Sequence, residues 1–150
     1  MKQFINTASA IYCDYTVFLN ESFELFCKEN SGLLKEKCVK IKVPQAVVDE
    51  MKAFHMSRMD DYILCCQGLE RLDRAEKDGI AEIAANFEGV KYSEDYFYRL
   101  CEKSDENIIV ITNDIQLVTE LAEKCTSFSK TDGFFTAFEI EENGMTHRLM

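Results

Sequence analysis

The chain of 150 residues contains one proline, six glycines and no tryptophan. So little proline and glycine excludes a collagen-like or low-complexity chain. Hydrophobic residues make up 47% and charged residues 29% of the sequence. This composition is ordinary for a globular protein and excludes disorder as the main state. A chain of this length is long enough to bury one sizeable core, so we expect a single domain.

The sequence also lacks long hydrophobic runs and paired cysteine motifs. No stretch approaches the roughly 18 uninterrupted apolar residues that a membrane-spanning helix needs, and Asp14 interrupts the apolar segment where a secretory leader would continue. The seven cysteines form no CxxC pair and do not alternate with histidine, which argues against a disulfide framework or a zinc site. We therefore expect a soluble cytoplasmic protein whose cysteines are reduced and packed in the core.

Positive charge is scarce, because 17 Lys and Arg stand against 27 Asp and Glu, a net charge of −10. Residues 1–59 are nearly balanced, and the acidity lies after them. Such a charge argues against a protein that coats nucleic acid by electrostatics alone. It does not exclude an enzyme whose metal ions supply positive charge. A group of lysines between residues 28 and 42 either guides a phosphate backbone or protects an edge strand.

Hydrophobic patterning predicts alternating strands and helices. The run NIIVIT at 107–112 is typical of a strand buried on both faces of a parallel sheet, and KCVKIKV at 37–43 alternates like a half-buried strand near an edge. The remaining predictions are a strand at 8–13, helices at 16–28, 45–54, 56–79, 80–87, 93–103 and 115–124, a further strand from 126, and a hairpin of FFTAFEI and MTHRL with its turn at 142–144. This order predicts an α/β sandwich with a mainly parallel sheet.

Acidic residues follow the two clearest strands. Asp14 ends the first strand and Asp114 comes directly after NIIVITN, so both should lie at the carboxyl edge of the sheet, where such folds bind ligands. Glu50, or Asp49 beside it, is on the helix after Pro44, and Asp95 is in the first turn of the helix from 93. Crowded carboxylates need cations between them, and oxygen ligands suit Mg²⁺ or Mn²⁺.

Four segments in order, IYCDYTVFLN, VPQAVVDEM, EDYFYRLCEK and IIVITND, resemble blocks of the PIN domain. This is a family of Mg²⁺- or Mn²⁺-dependent nucleases that mostly cut single-stranded RNA. The resemblance covers residues 8–128 and leaves 129–150 as a C-terminal extension. It implies one PIN-like domain over 1–150, with the three-layer sandwich of that family.

The resemblance also implies site residues and partners. The catalytic and metal-binding acids would be Asp14, Glu50, Asp95 and Asp114, with Asp95 chosen over Glu94 as the third acid. Thr16, Thr112 and Asn113 would support them by hydrogen bonds to a carboxylate or a phosphate oxygen. The function implied is a toxin-type or RNA-processing endoribonuclease that binds one or two divalent ions and single-stranded RNA. An antitoxin, another protein or a second copy of the chain are candidate partners, and a membrane is not.

Other interpretations stay open at this point. Asp14 and Asp114 are also typical caps of the helices that follow their strands, and an acid at position 95 is favoured by the helix dipole alone. The second functional hypothesis is a PIN-like module that has lost catalysis and acts through protein partners. A haloacid dehalogenase-type phosphatase needs a second Asp two residues after the first, where this chain has Thr16, and no GxxxxGK[ST] or GxGxxG motif is present.

Overall fold

A computed structural model describes residues 1–54, 59–103, 105–127 and 134–150, with the backbone alone for 59–61, 126 and 127. Within these residues, six strands form one sheet in the order β3-β2-β1-β4-β5-β6. Every neighbouring pair is parallel except β5 and β6, which are antiparallel. The strands are β1 (Ala10–Cys13), β2 (Ile41–Pro44), β3 (Ala81–Ala84), β4 (Ile108–Ile111), β5 (Phe135–Ile140) and β6 (Thr146–Arg148).

Helices connect the parallel strands and flank the sheet. They are α1 (Lys2–Ile5), α2 (Tyr15–Phe18), α3 (Ser22–Glu36), α4 (Gln45–Phe54), α5 (Met59–Lys77), α6 (Ser93–Lys103) and α7 (Ile115–Ser127). Because crossovers between parallel strands are right-handed, α3 to α5 lie on one face of the sheet and α6 and α7 on the other. The arrangement is that of an α/β protein and is compatible with a three-layer sandwich.

The core forms where the sheet meets both helical layers. All four residues of β1 and all four of β4 are buried, as expected for central parallel strands covered on two faces. The largest fully buried side chains include Phe18, Phe23, Phe26, Phe97 and Phe138. Burying each of them contributes about 1.5–3 kcal/mol, so the core holds the central strand ends in place.

Several predicted elements are confirmed. The helices at 45–54 and 93–103, the central strand within 107–112 and the C-terminal hairpin are present. The turn of the hairpin contains Gly144 with φ +79°, a conformation that suits glycine. The helix predicted over 56–79 is present as Met59–Lys77, and its start at 56–58 lies outside the described residues. The strand predicted from 126 begins on α7, and 128–133 also lie outside the described residues.

Two predictions are wrong. The segment predicted as a helix at 80–87 contains β3, because pairing with β2 outweighs the helix preference of its alanines and Glu82. The strand predicted near an edge at 37–43 is present as β2, one strand in from the edge strand β3. The helix predicted over 16–28 is two helices, and α3 continues through Asn30-Ser31-Gly32 to Glu36. There the buried amide of Asn30 donates to the backbone oxygen of Phe26 within the helix.

The expectation that all cysteines are reduced is also wrong. Cys101 on α6 and Cys125 on α7 form a disulfide, with their Cα atoms 6.4 Å apart. The other five cysteines, all within the described residues, form no disulfide. The packing of α6 against α7 decides this pairing, and two cysteines 24 positions apart form no motif from which it could be predicted. Within the described part of the chain, no helix has both the length and the apolar character needed to cross a membrane.

Candidate active site

The direction of the chain through the sheet reverses between β1 and β4. From β1 the chain moves to β2 and β3 on one side, and then returns to β4 and β5 on the other. The last paired residues of the two strands are Cys13 and Ile111. Asp14 and Thr112 follow them directly, so both emerge at the carboxyl edge where the strand order reverses. In open α/β sheets this position is the usual ligand-binding crevice.

Asp14 is held by two threonine hydroxyls. Thr16 Oγ1 donates to Asp14 Oδ1 at 2.6 Å, and Thr112 Oγ1 donates to Asp14 Oδ2 at 2.9 Å. The Asp14 side chain is almost completely buried, with 1% exposure. Burial raises its pKa to about 7, and the nearby charge of Asp114 also raises it, against the opposing effect of the two hydroxyls. A cation bound nearby would therefore stabilise the ionised form of the Asp14 carboxyl group.

The same hydroxyls connect Asp14 to the loop after β4. Thr112 Oγ1 accepts a hydrogen bond from the backbone N–H of Asp114 at 3.0 Å, and Thr16 Oγ1 accepts one from the N–H of Asn113 at 2.9 Å. Asp114 Oδ1 in turn accepts from the N–H of Leu117 at 3.0 Å and caps α7. The amide oxygen of Asn113 accepts from the N–H of Ile140 at 3.1 Å. The side chain of Asn113 thus ties the loop to β5.

Glu50 reaches the site from α4 and binds the start of α6. Its Oε1 accepts from the backbone N–H of Ser93 at 2.8 Å, and its Oε2 accepts from Ser93 Oγ at 2.7 Å. A carboxylate from one helix therefore caps another, and it satisfies an N–H group that α6 leaves unpaired. Asp49, the alternative to Glu50, is exposed and accepts from Gln45 within its own helix.

The first turn of α6 carries two acids, Glu94 and the predicted third acid Asp95. Desolvation raises the pKa of the neighbouring Glu94, and the charges of Glu120, Glu50, Asp114 and Asp95 raise it further, in that order. Asp95 lines a pocket with Tyr98, Arg99 and Lys124. Successive helical residues are about 100° apart, so Glu94 and Asp95 project from α6 in different directions. The geometry favours Glu94.

Tyr15 was not predicted as a site residue, but it lies among the acids. Burial raises its pKa, and the charges of Asp14, Asp114, Glu50 and Glu94 raise it further. Its ring packs against Phe54, with the ring centroids 5.3 Å apart. The sequence signal for Tyr15 is its place directly after the strand-end Asp14. Glu94 shares with Asp95 the sequence signal of a first-turn acid on α6. Glu120 has no sequence signal, because only the packing of α6 against α7 brings it near the others.

The donor types fit a hard divalent cation, since carboxylate and hydroxyl oxygens are the ligands of Mg²⁺ and Mn²⁺. The spacing fits less well. Among the described residues, no three acidic, histidine or cysteine side chains lie close enough together to hold a metal ion. The carboxylates of Glu50 and Asp114 accept hydrogen bonds from helix N-termini in this arrangement. A carboxylate oxygen accepts more than one bond, so these contacts leave coordination sites free.

No protein-family model matches the sequence, and no curated protein shows significant similarity to it.

Proposed function

We propose that this chain is a PIN-like nuclease that hydrolyses phosphodiester bonds with Mg²⁺ or Mn²⁺, and that its substrate is single-stranded RNA. The observation that carries the proposal is the hydrogen-bonded link from Asp14 through Thr112 to the backbone of Asp114, at the point where the strand order reverses. The charges of Glu50 and Glu94 also act on Tyr15, the residue after Asp14. A group of like charges at a ligand-binding edge is unfavourable unless a cation or a positively charged partner offsets it.

Each acid has a distinct role in this proposal. Asp14 and Asp114 would hold the ion, with Glu94 as the third acid and Glu50 acting directly or through water. A divalent ion, when bound, supplies a water of lowered pKa and neutralises charge on the phosphate. Thr16 and Thr112 would fix the Asp14 carboxylate, so that its orientation costs little when substrate binds. Tyr15 and Phe54 would offer aromatic rings to an unpaired base beside the acids.

The RNA preference rests on the resemblance of the four sequence blocks to the PIN family. A chain of net charge −10 gains little from non-specific attraction to phosphates. The ion between the carboxylates would therefore supply much of the local attraction to the scissile phosphate. An endoribonuclease of the toxin type would also need an antitoxin or another partner to restrain it.

Calorimetric titration with MnCl₂ tests the proposal without a guess at the substrate. We expect the protein to bind one or two ions, and Asp14→Asn and Asp114→Asn to weaken binding by at least about 100-fold. Asp49→Asn is the matched control, because Asp49 is an exposed acid on the same helix as Glu50. Cleavage of a labelled single-stranded RNA with Mn²⁺, stopped by EDTA, is the second expected result.

The second candidate function is a PIN-like module without catalysis. It is favoured by the use of Glu50 and Asp114 as helix caps and by the lack of a three-ligand cluster among the described side chains. Failure to bind millimolar Mn²⁺ in the presence of a single-stranded oligonucleotide would reject the nuclease and favour this module, whose ligands would then be proteins.

A further inference from the structure

A second cleft lies between α3 and α5, away from the acids. It has a volume of about 360 Å³ and extends to Ile80, the residue before β3. Its amino-end position contrasts with the carboxyl-end position of the acid site. The charged residues that line it are Lys28, Lys35, Arg71 and Arg74, with Glu24 and Asp78. In a protein of net charge −10, this cleft has an excess of two positive charges.

Arg71 is the buried group of the cleft. Its side chain is 6% exposed, and one guanidinium nitrogen, Nη1, donates to the backbone oxygen of Phe18 at 2.9 Å. Its Nε–H is buried and has no hydrogen-bond partner among the described residues, since the nearest carboxylate oxygen, Glu24 Oε1, is 3.5 Å away. A buried donor without an acceptor costs about 1–3 kcal/mol, so this position suits an acceptor from outside the chain.

Glu24 does not neutralise the arginines. The same Oε1 atom of Glu24 also accepts a hydrogen bond from Arg74. One carboxylate is therefore shared between two guanidinium groups, which leaves one positive charge of the pair uncompensated. The opposite wall adds more charge, because Lys28 and Lys35 are seven residues apart on α3 and lie on the same helix face.

We propose that this cleft binds a phosphate monoester. Guanidinium groups and lysine amines are the side chains that recognise phosphate oxygens. A phosphate dianion matches the excess charge, and the cleft is larger than a phosphate group alone requires. Its apolar wall of Phe23, Ala75 and Ile80 would contact the organic part of the ligand. The site is independent of the proposed metal site, because it uses none of the acids at the carboxyl edge.

Calorimetry with AMP and with inorganic phosphate, both in EDTA, tests this site. We expect the protein to bind AMP at concentrations up to about 10 mM, and Lys28→Gln/Lys35→Gln to weaken binding about tenfold or more. Lys37→Gln/Lys40→Gln is the matched control, because it removes the same charge from two exposed lysines that do not line the cleft. Arg71→Lys keeps one positive charge but loses Nε, and it should also weaken binding while the thermal transition remains cooperative.

Three results would overturn the proposal. The first is no detectable binding of either probe to the unmodified protein. The second is equal weakening by the cleft pair and the control pair, which would indicate general charge attraction. The third is equal affinity for the two probes. Equal affinity for AMP and inorganic phosphate would assign the cleft to free phosphate and would reject the monoester. The AMP and phosphate titrations do not depend on Mn²⁺ binding at Asp14. The phosphate-site proposal and the nuclease proposal can therefore be rejected independently.

Discussion

Thr112 Oγ1 donates a 2.9 Å hydrogen bond to Asp14 Oδ2, although 98 residues separate the two side chains in the sequence. The bond joins the carboxyl ends of the two central strands. Thr112 is fully buried and also accepts from the N–H of Asp114. One hydroxyl therefore links the two acids on which the proposed function depends, and it positions both without being a ligand itself.

Replacement of Thr112 should destabilise the protein. Thr112→Val keeps the shape of the side chain but leaves Asp14 and the N–H of Asp114 short of one partner, at a cost of about 1–3 kcal/mol in the free energy of unfolding. Urea denaturation measures this. Thr119→Val is the control, because Thr119 is exposed and its hydroxyl only donates to Ile115 in its own helix. Equal losses in both variants would contradict the role given to Thr112.

The stability of the metal-free protein should depend on pH through Asp14. Its pKa is about 7 in the folded protein against 3.8 for an ordinary Asp, so the folded state keeps a proton that the unfolded chain releases. The Asp14 contribution is therefore fully present below about pH 4 and is lost as pH rises to about 7. At pH 8 in EDTA, Asp14→Asn should be more stable than the unmodified protein, by up to about 4 kcal/mol.

The measurement is the free energy of unfolding of both proteins between pH 4 and pH 8. The difference between them isolates Asp14 from the other titrating groups. A difference that does not change with pH would show that Asp14 is ionised in the folded protein throughout this range.

Loss of the Glu50 carboxylate should weaken the contact between α4 and α6. Glu50→Gln replaces one acceptor oxygen by an amide nitrogen, so Ser93 loses one of its two hydrogen bonds to Glu50. We expect a loss of about 1–3 kcal/mol in unfolding free energy, since a charged acceptor at a helix N-terminus is removed. Asp49→Asn, an exposed change on the same helix, should cost less than about 0.5 kcal/mol.

Separate replacement of Glu94 and Asp95 on α6 tests which of them binds the metal ion. The sequence analysis predicts Asp95, and the structure favours Glu94. If Glu94 is the third acid, Glu94→Gln should weaken Mn²⁺ binding at least about tenfold, whereas Asp95→Asn should change it little. Calorimetry on the two variants decides between them. The reverse order of effects would assign the metal-binding role to Asp95 and reject Glu94.

The cysteines outside the disulfide should differ strongly in reactivity. Burial raises the pKa of Cys27 to about 12 and also raises that of Cys13, so neither forms the reactive thiolate at neutral pH. Cys38 is exposed. Iodoacetamide at pH 7.5 followed by peptide mass spectrometry should find Cys38 alkylated first, and Cys101 and Cys125 only after reduction. Equal rates at Cys27 and Cys38 would contradict the raised pKa of the Cys27 thiol.

The sequence by itself determined the elements whose pattern is local. The β-branched run ending at Ile111 and the short apolar run ending at Cys13 indicate buried strands wherever they occur. The helix from Ser93 and the glycine turn of the hairpin follow from local backbone preferences. Positions of Asp14 and Asp114 at one edge followed from strand direction alone, because carboxyl ends of parallel strands share an edge.

Only the tertiary structure decided the features that depend on distant partners. The segment 81–84 has helix-forming residues and becomes a strand because β2 offers a free edge. The choice between Glu94 and Asp95 depends on the rotation of α6 about its axis, which the packing of that helix sets. The Cys101–Cys125 pair and the contact of Glu50 with Ser93 likewise join residues 24 and 43 positions apart. Local backbone preferences say little about such contacts, because side chains far apart in the sequence meet only when the helices pack against the sheet and against each other.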